Sequence, residues 1–361
     1  MEILICLIFC YINKKIIMIK IGPYKIKNFN KPFIVAEVGI NHNGNLKTAL
    51  KMVDVAKVSG CHAVKFQTFK AKEIVQDKSL LFTYFSNGKK ITESMYKMFK
   101  RYELNEKCWS TISKYCRKRK ILFFSTPQNN SDLQILRKLN VPAIKVGSDD
   151  FTNVDLIKNY LKHNLPIILS TGMSTEKDIK RVLNIKGIKK KKVIFLLCTS
   201  EYPTKHESVN INKFFRFKKI LKDYLIGFSD HTKDDIASIM AVGHGCCFFE
   251  KHFTLDKKMK GPDHWFSLNP AQLKNWVNSI KNAHKCLGSS KLVPTNKEKV
   301  NKESFRRKIV AKKDIKRGKI ILEADIIMLR TKSKKALNAY DLNKIIGKKA
   351  KKNFKNGEAI T

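Results

Sequence analysis

Acidic side chains are scarce in this chain. Its 361 residues carry 73 lysines and arginines against 30 aspartates and glutamates, a formal charge of +43. Such an excess invites a nucleic-acid or membrane-surface role. The lysines, however, run through the whole chain, with no basic motif interleaved by aromatics, and asparagine and isoleucine abound beside them. That pattern points to a codon bias of the genome rather than to a binding stripe, so no nucleic-acid partner is expected. Small anionic substrates are what this field favours. Paired cysteines are lacking too. Nine cysteines are an odd number with no Cys-x-x-Cys spacing, which speaks against a disulfide framework and a zinc cage. Cys198, Cys246 and Cys247 lie in apolar runs, where a thiol behaves as a small hydrophobe; the expected setting is a reducing cytoplasm. Long hydrophobic runs are missing as well. The opening MEILICLIFCYI, followed by Lys14 and Lys15, is too short to span a bilayer and has neither a basic start nor a small-residue cleavage site. No membrane partner is expected. Met18 begins a more conventional start, so residues 1–17 read as an upstream over-reading of the gene.

What the chain has in abundance is alternation. Eight short apolar runs, each followed by a segment of helical period, fill the chain from Phe33 to Leu287: Phe33–Gly39, Ala63–Gln67, Ile121–Thr126, Ala143–Gly147, Pro166–Ser170, Val193–Cys198, Leu225–Ser229 and Cys246–His252. Strand–helix alternation implies a parallel sheet, and eight units imply closure into an α/β (β/α)8 TIM barrel. The first unit shows the pattern, with Asn45 as a helix cap and Leu46, Ala49, Leu50, Val53 and Ala56 as an apolar stripe. A longer or broken helix is expected over 92–119, and 72–91 reads as an insertion suited to a lid or rim loop. The expected domains are an N-terminal extension (1–21), the barrel (22–286), a linker (287–304) and a small, mostly β domain (305–361). Short β-like pieces at Lys308–Ala311, Lys319–Leu322 and Ile326–Leu329 mark that tail, which by its size alone would be marginally stable.

Side-chain parity along a strand separates barrel interior from helix-facing exterior. Glu37 shares a face with Phe33 and Val35, Lys65 and Gln67 with Ala63, and Lys145 with Ala143 and Gly147. Ser229 pairs in parity with His231, and Glu250 with His252. Each polar residue falls toward the carboxyl end of its run, where barrels of this kind place their chemistry. Buried charges must pair, bind a ligand or meet water. They could be satisfied rim ion pairs, yet convergence from six strands favours a site. His231 and His252 close successive strands and could share one divalent metal, or could be two hydrogen-bonded rim histidines. His264, with Asp263 beside it, could join that site. Lys65 and Lys145 with the strand-end hydroxyls of Thr126, Ser148, Ser170, Ser200 and Ser229 make a cradle for a phosphate and a carboxylate, although each hydroxyl alone could cap the following helix.

The stretches FIVAEVGINHNG, AVKFQTF, FSTP, IKVGS, ILSTGMS, CTSEYPT, GFSDHT and EKHFTLDKKMKGPDH resemble the sialic acid synthase family, makers of N-acetylneuraminate, legionaminate and pseudaminate. FRRKIVAKKDIKRGKIILEADI resembles the family's antifreeze-like (SAF) domain. The resemblance implies a cytoplasmic transferase that condenses phosphoenolpyruvate with an N-acylated amino sugar and releases phosphate by C–O cleavage. Carried over by motif, Lys65, Gln67, Thr126, Lys145, Ser148, Ser170, Ser200 and Ser229 bind phosphoenolpyruvate, and Glu37 acts as acid/base. His231 and His252 bind manganese, with magnesium or cobalt as alternatives. Asp150 meets the sugar, Tyr202 and Asp263 meet the sugar or a metal-bound water, and Arg307 (or Arg306) reaches its acyl group from the partner subunit of a domain-swapped homodimer. Ser148-Asp149-Asp150 departs from the family's usual Ser-Gly-Glu, which makes the carboxylate at 150 one methylene shorter. Competing expectations are condensation with another aldose, or a non-catalytic carbohydrate- or polyanion-binding protein.

Overall fold

A computed structural model describes residues 17–188 and 192–361. The expectation placed on residues 1–16 therefore lies outside the described residues. The chain divides into two compact units, one ending at Gly288 and one covering Ser289–Thr361.

The first unit opens with an antiparallel hairpin, β1 (Ile19–Ile21) and β2 (Tyr24–Ile26). The barrel strands follow: β3 (Phe33–Gly39) and β4 (Ala63–Thr68), then, after an inserted hairpin β5 (Leu81–Ser86) and β6 (Lys89–Ser94), β7 (Leu122–Pro127) and β8 (Ile144–Val146). β9 (Ile167–Ser170), β10 (Val193–Cys198), β11 (Leu225–Asp230) and β12 (Phe248–His252) complete the ring. These eight close as β3-β4-β7-β8-β9-β10-β11-β12 with parallel pairing throughout, and β12 returns to β3 through His252 opposite Glu37. All seven residues of β3 are buried, as are all six of β10 and of β11. A strand with packing on both faces reads as a continuous apolar run, which is why the runs were visible in the sequence.

Helix Leu46–Val58 starts at the expected cap, where Asn45 Oδ1 accepts from the Thr48 amide at 3.0 Å, and buries Ala49, Met52, Val53 and Ala56. The region 92–119 takes the broken form of the two that were expected. Its first residues finish β6, helix Met95–Tyr102 follows, and a second helix, Glu106–Lys118, begins at a fresh cap on Asn105. The cause is legible in hindsight: Asn87-Gly88, both at positive φ, form the two-residue turn that joins β5 to β6. Between β10 and β11 the chain forms two helices, His206–Val209 and Lys213–Ile220, separated at Asn210 in the left-handed region.

The second unit has its own core, built from Ile309, Ala311, Ile315, Ile321, Ile326 and Phe354 among others. Strands β13 (Lys308–Ala311) and β14 (Ile326–Leu329) pair antiparallel, whereas Lys319–Leu322 forms only an isolated bridge, Ile320 to Lys349. The stretch assigned as linker contains a helix, Asn296–Phe305, none of whose residues is buried. Among the described residues no helix is long and apolar enough to cross a membrane.

Candidate active site

The barrel's parity rule puts Glu37, Lys65, Lys145, Ser170, Ser229 and Glu250 on the inner face, and all six line one cavity of about 600 Å³. Register explains how they meet. Glu37 lies beside Lys65 across β3–β4, and Ser229 beside Glu250 across β11–β12. Lys65 Nζ stands 2.7 Å from Glu37 Oε2 and 3.8 Å from Glu250 Oε2, while Lys145 Nζ is 3.3 Å from Glu250 Oε1. Lys145 also donates to Ser170 Oγ at 2.6 Å, Lys65 to Thr126 Oγ1 at 3.4 Å, and Ser229 Oγ to Glu250 Oε1 at 2.9 Å.

Burial and charge set these groups apart from one another. Burial pushes the Glu37 carboxyl up to about 7, against the pull of Lys65. Burial also raises Glu250, but Lys145 and Lys65 outweigh it and hold its carboxyl below the ordinary range. Lys65 loses to burial and gains more from Glu250 and Glu37, so it stays protonated. Burial dominates at Lys145 and lowers it. With its carboxyl raised, Glu37 offsets the two lysines less fully than Glu250 does. The cluster has capacity for an anion.

The remaining expected binders converge on the same space. Gln67, Thr126, Ser148 and Ser200 all line the cavity. Ser148 Oγ accepts from the Gly172 amide at 3.0 Å, and a side chain at Gly172 would collide with the hydroxyls of both Ser148 and Ser200. Ser200 Oγ is buried without a hydrogen-bond partner, as is Glu37 Oε1.

His231 and His252 stand side by side, ring centroids 5.6 Å apart. His231 Nδ1 lies 2.8 Å from the Thr199 carbonyl, and donating there leaves Nε2 as a free lone pair. His252 Nδ1 is buried without a hydrogen-bond partner and lies 3.9 Å from Asp263 Oδ2. Burial holds His252 well below the usual imidazole range, the neutral state that ligation requires. At His231 burial is outweighed by Cys198 and the Thr199 carbonyl, which raise that imidazole, so His252 is the member of the pair held neutral; the open nitrogens of the two rings fit a divalent ion. No cluster of three or more His, Cys, Asp or Glu able to hold a metal occurs among the described residues, so other positions would fall to water and substrate. Gly39, at φ +53, keeps a side chain out of the gap beside the His252 ring and Glu37 Oε1. Tyr202 and Asp263 line the cavity next to this pair, Tyr202 with its ring 4.3 Å from that of His231.

Two expectations change. Asp150 does not line the cavity; it accepts from Asn153 Nδ2 at 3.1 Å at the start of helix Val154–Leu161, and Asp149 takes the lining position instead. His264 is tied to Thr254 Oγ1 at 2.7 Å and to Asn43 Oδ1 at 3.0 Å, which makes it a loop brace rather than part of the site. Arg307 is exposed and belongs to the second unit, as does Arg306. The sequence reading gave no role to Glu250, Cys198 or the hairpin aromatics. Parity had already put Glu250 on the His252 face, and two inward lysines need a counter-charge; those were the available signals.

Residues 52–292 match the NeuB family model and residues 306–361 the SAF domain model. The chain is 37% identical over 333 residues to the N,N'-diacetyllegionaminic acid synthase of Campylobacter jejuni, covering 91% of this chain and 99% of that one. It is 32% identical to the human N-acetylneuraminate-9-phosphate synthase, covering 88% of each. A solved structure of N-acetylneuraminic acid synthetase from Leptospira borgpetersenii, in complex with citrate, superposes with a TM-score of 0.71 at 30% identity, covering 80% of this chain and 96% of that one. The barrel with its inward lysines, followed by the small β unit, therefore belongs to the NeuB family of synthases and ends in a SAF domain.

Proposed function

We propose that this enzyme condenses phosphoenolpyruvate with the open-chain form of an N-acylated amino sugar, giving a nonulosonic acid and inorganic phosphate. The observation that carries the reading is the pair of buried ammonium groups, Lys65 and Lys145, ringed by hydroxyls at the C-terminal mouth of the barrel. Those lysines, with Thr126, Ser148, Ser170, Ser200, Ser229 and Gln67, hold the phosphate and carboxylate in a dry mouth where charge pairing is strong. C3 of phosphoenolpyruvate forms the new bond to the sugar's aldehyde carbon. Positive character at C2 is met by water, and the tetrahedral carbon collapses as its bond to the bridging oxygen breaks, leaving a ketone and phosphate. Glu37, poised near neutrality and with Oε1 unpartnered, orients that water and takes its proton. Tyr202 and Asp263 face the sugar beside the histidines. A divalent ion on His231 and His252, manganese in first place, would add Lewis acidity at the aldehyde oxygen.

Phosphoenolpyruvate labelled at the bridging oxygen decides the bond cleavage: the label is expected in phosphate, and label retained in the sugar acid overturns this course. Manganese binding, followed by electron paramagnetic resonance, is expected to be lost in His231→Ala; retention refutes the ligand assignment. The proposal extends to a homodimer in which Arg307 of the partner subunit reaches the acyl group. Mixing Lys145→Met chains with Arg307→Ala chains then restores part of the activity that each lacks, and no recovery removes Arg307 from the neighbouring site.

A further inference from the structure

The loops after β3 and β12 are tied together by side chains that do not themselves line the cavity. Beyond Glu37 the pairing of β3 with β4 shifts register at Gly39, and the chain turns out of the sheet. Asn41 follows, buried, and its Nδ2 donates to the Phe253 carbonyl at 2.9 Å and to Ser267 Oγ at 3.0 Å. Ser267 is buried too and extends the link, its hydroxyl donating to the Asp263 carbonyl at 2.6 Å. A second tie runs beside the first. Asn43 Oδ1 lies 3.0 Å from His264 Nε2, and His264 Nδ1 lies 2.7 Å from Thr254 Oγ1. Burial lowers His264 to about 4, so at neutral pH the ring has one nitrogen to donate and one to accept, which suits those two partners.

Both ties act on a loop whose neck is already closed. The Thr254 amide donates to the Leu268 carbonyl at 2.8 Å, and the Leu268 amide to the His252 carbonyl at 3.0 Å, so residues 255–267 leave and return at the end of β12. Within that loop Asp263 is the acid that lines the cavity, with Oδ2 3.9 Å from His252 Nδ1. Its backbone is where it is gripped: Ser267 holds its carbonyl, and the next residue, His264, carries the second tie. The carboxylate is thus aimed into the cavity from behind, by the strand that also carries Glu37.

A group that meets a substrate works only if it is held in place, and a misplacement of about 1 Å costs on the order of a hundredfold in rate. The neck bonds alone leave the far side of a 13-residue excursion, residues 255–267, free to shift. Resting on the reading that Asp263 faces the sugar, we propose that Asn41 and Ser267 are positioning residues, which fix the Asp263 carboxylate beside His252 by holding the Asp263 carbonyl. β3 then serves the reaction twice, through Glu37 inside the barrel and through Asn41 four residues later, which aligns the acceptor's side of the mouth.

A double-mutant cycle on Ser267→Ala and Asp263→Ala tests this in the full chain. Phosphate release is followed with manganese, phosphoenolpyruvate and either N-acetylmannosamine or its diacetamido, 6-deoxy relative, whichever is faster. Ser267→Ala should lower kcat/KM for the sugar about tenfold, the worth of one hydrogen bond, while the KM for phosphoenolpyruvate stays within about twofold. In the Asp263→Ala background the same substitution should change kcat/KM for the sugar by less than about twofold, because the carboxylate it aims is gone. Asn41→Ala, an independent break in the same tie, should repeat the pattern. Amide hydrogen exchange needs no substrate and should quicken over residues 255–266 in both variants, with β3 still protected. A loss of equal size with and without the Asp263 carboxylate, an equal effect on both substrates, or unchanged exchange in the loop makes the tie a general brace and overturns the inference. Undiminished use of the sugar by Asp263→Ala overturns the reading of Asp263 instead, and no phosphate release from the unchanged chain with either sugar sinks the phosphoenolpyruvate chemistry itself.

Discussion

Glu250 and Lys251 are neighbours on β12, both buried and both ion-paired, yet they serve two different regions of the barrel. Lys251 points outward and meets Asp230 of β11 at 2.9 Å. Every oxygen of that carboxylate is used: Asp230 Oδ1 accepts from the Thr232 amide and hydroxyl, both at 2.8 Å, and Oδ2 from Ser238 at 2.6 Å. Lys251 also donates to Thr232 Oγ1 at 3.1 Å and to the Asp234 carbonyl at 2.8 Å. Glu250 points inward to two lysines, and its surroundings keep polar atoms in reserve, among them Ser200 Oγ, Glu37 Oε1 and His252 Nδ1. Burial is equal; satisfaction is not. A buried charge with all its bonds made holds helix to strand, whereas a buried cluster short of partners awaits a ligand.

The contrast is broken or upheld most sharply by removing one charge from each region. Asp230→Ala strands Lys251 in the dry layer between barrel and helices. Unfolding in urea should show a loss of about 3–5 kcal/mol, the usual result of orphaning a buried charge. Lys145→Met takes away an ammonium that burial already disfavours and leaves Glu250 with Lys65 and Ser229. Its stability loss should be much the smaller of the two, while phosphate release from phosphoenolpyruvate falls by about 10²–10³-fold, as when one preorganised charge partner is lost. Equal destabilisation by the two variants would erase the distinction drawn between inner and outer pairs.

Part of the pH dependence of stability should come from a group remote from the mouth, set against Glu37, whose raised carboxyl favours the folded state as pH falls from about 7. His62, just before β4, accepts a hydrogen bond from the Ile34 amide at 2.9 Å on Nδ1 and stacks against Phe33. Burial lowers it to about 4. The unfolded imidazole titrates near 6.5, so the folded state binds fewer protons between those values. The stabilisation is complete above about pH 6.5, drains away as pH falls, and is gone below about 4, a swing on the order of 2–3 kcal/mol. With urea midpoints measured from pH 7 to pH 4, the difference between the unchanged chain and His62→Gln should follow that fall. An unchanged slope in that variant would assign the titration elsewhere.

Much of this was readable because barrel geometry converts sequence order into place. Doubly covered strands gave eight apolar runs, and parity alone put Glu37, Lys65, Lys145, Ser229 and His252 on one face. What parity cannot supply is pairing across the ring. Glu250 bridges lysines from β4 and β8, which lie well apart in the chain, so its role depended on closure. Turn conformation was the other gap: which of Asp149 and Asp150 enters the cavity follows from the Asn153 hydrogen bond, a local competition that motif spacing does not resolve. The Asn87-Gly88 hairpin turn was written in the chain and passed unread because helical residues follow it closely.

The outer network extends one bond further, and that bond measures how far its satisfaction matters. Trp276, on helix Pro270–Leu287, donates its indole N–H to Ser238 Oγ at 2.9 Å, and the Ser238 hydroxyl donates in turn to Asp230 Oδ2. Both side chains are fully buried. Trp276→Phe removes the donor with modest change of shape, leaving the serine one acceptor bond short while the Asp230–Lys251 pair remains closed. The expected loss in urea unfolding is about 1 kcal/mol, a single neutral hydrogen bond, with phosphate release per active site unaltered because no link of this chain enters the cavity. A loss as large as that of Asp230→Ala would mean that the indole's packing, not the pair, holds this helix to the strand; a fall in turnover would show that the two faces of β12 are coupled after all.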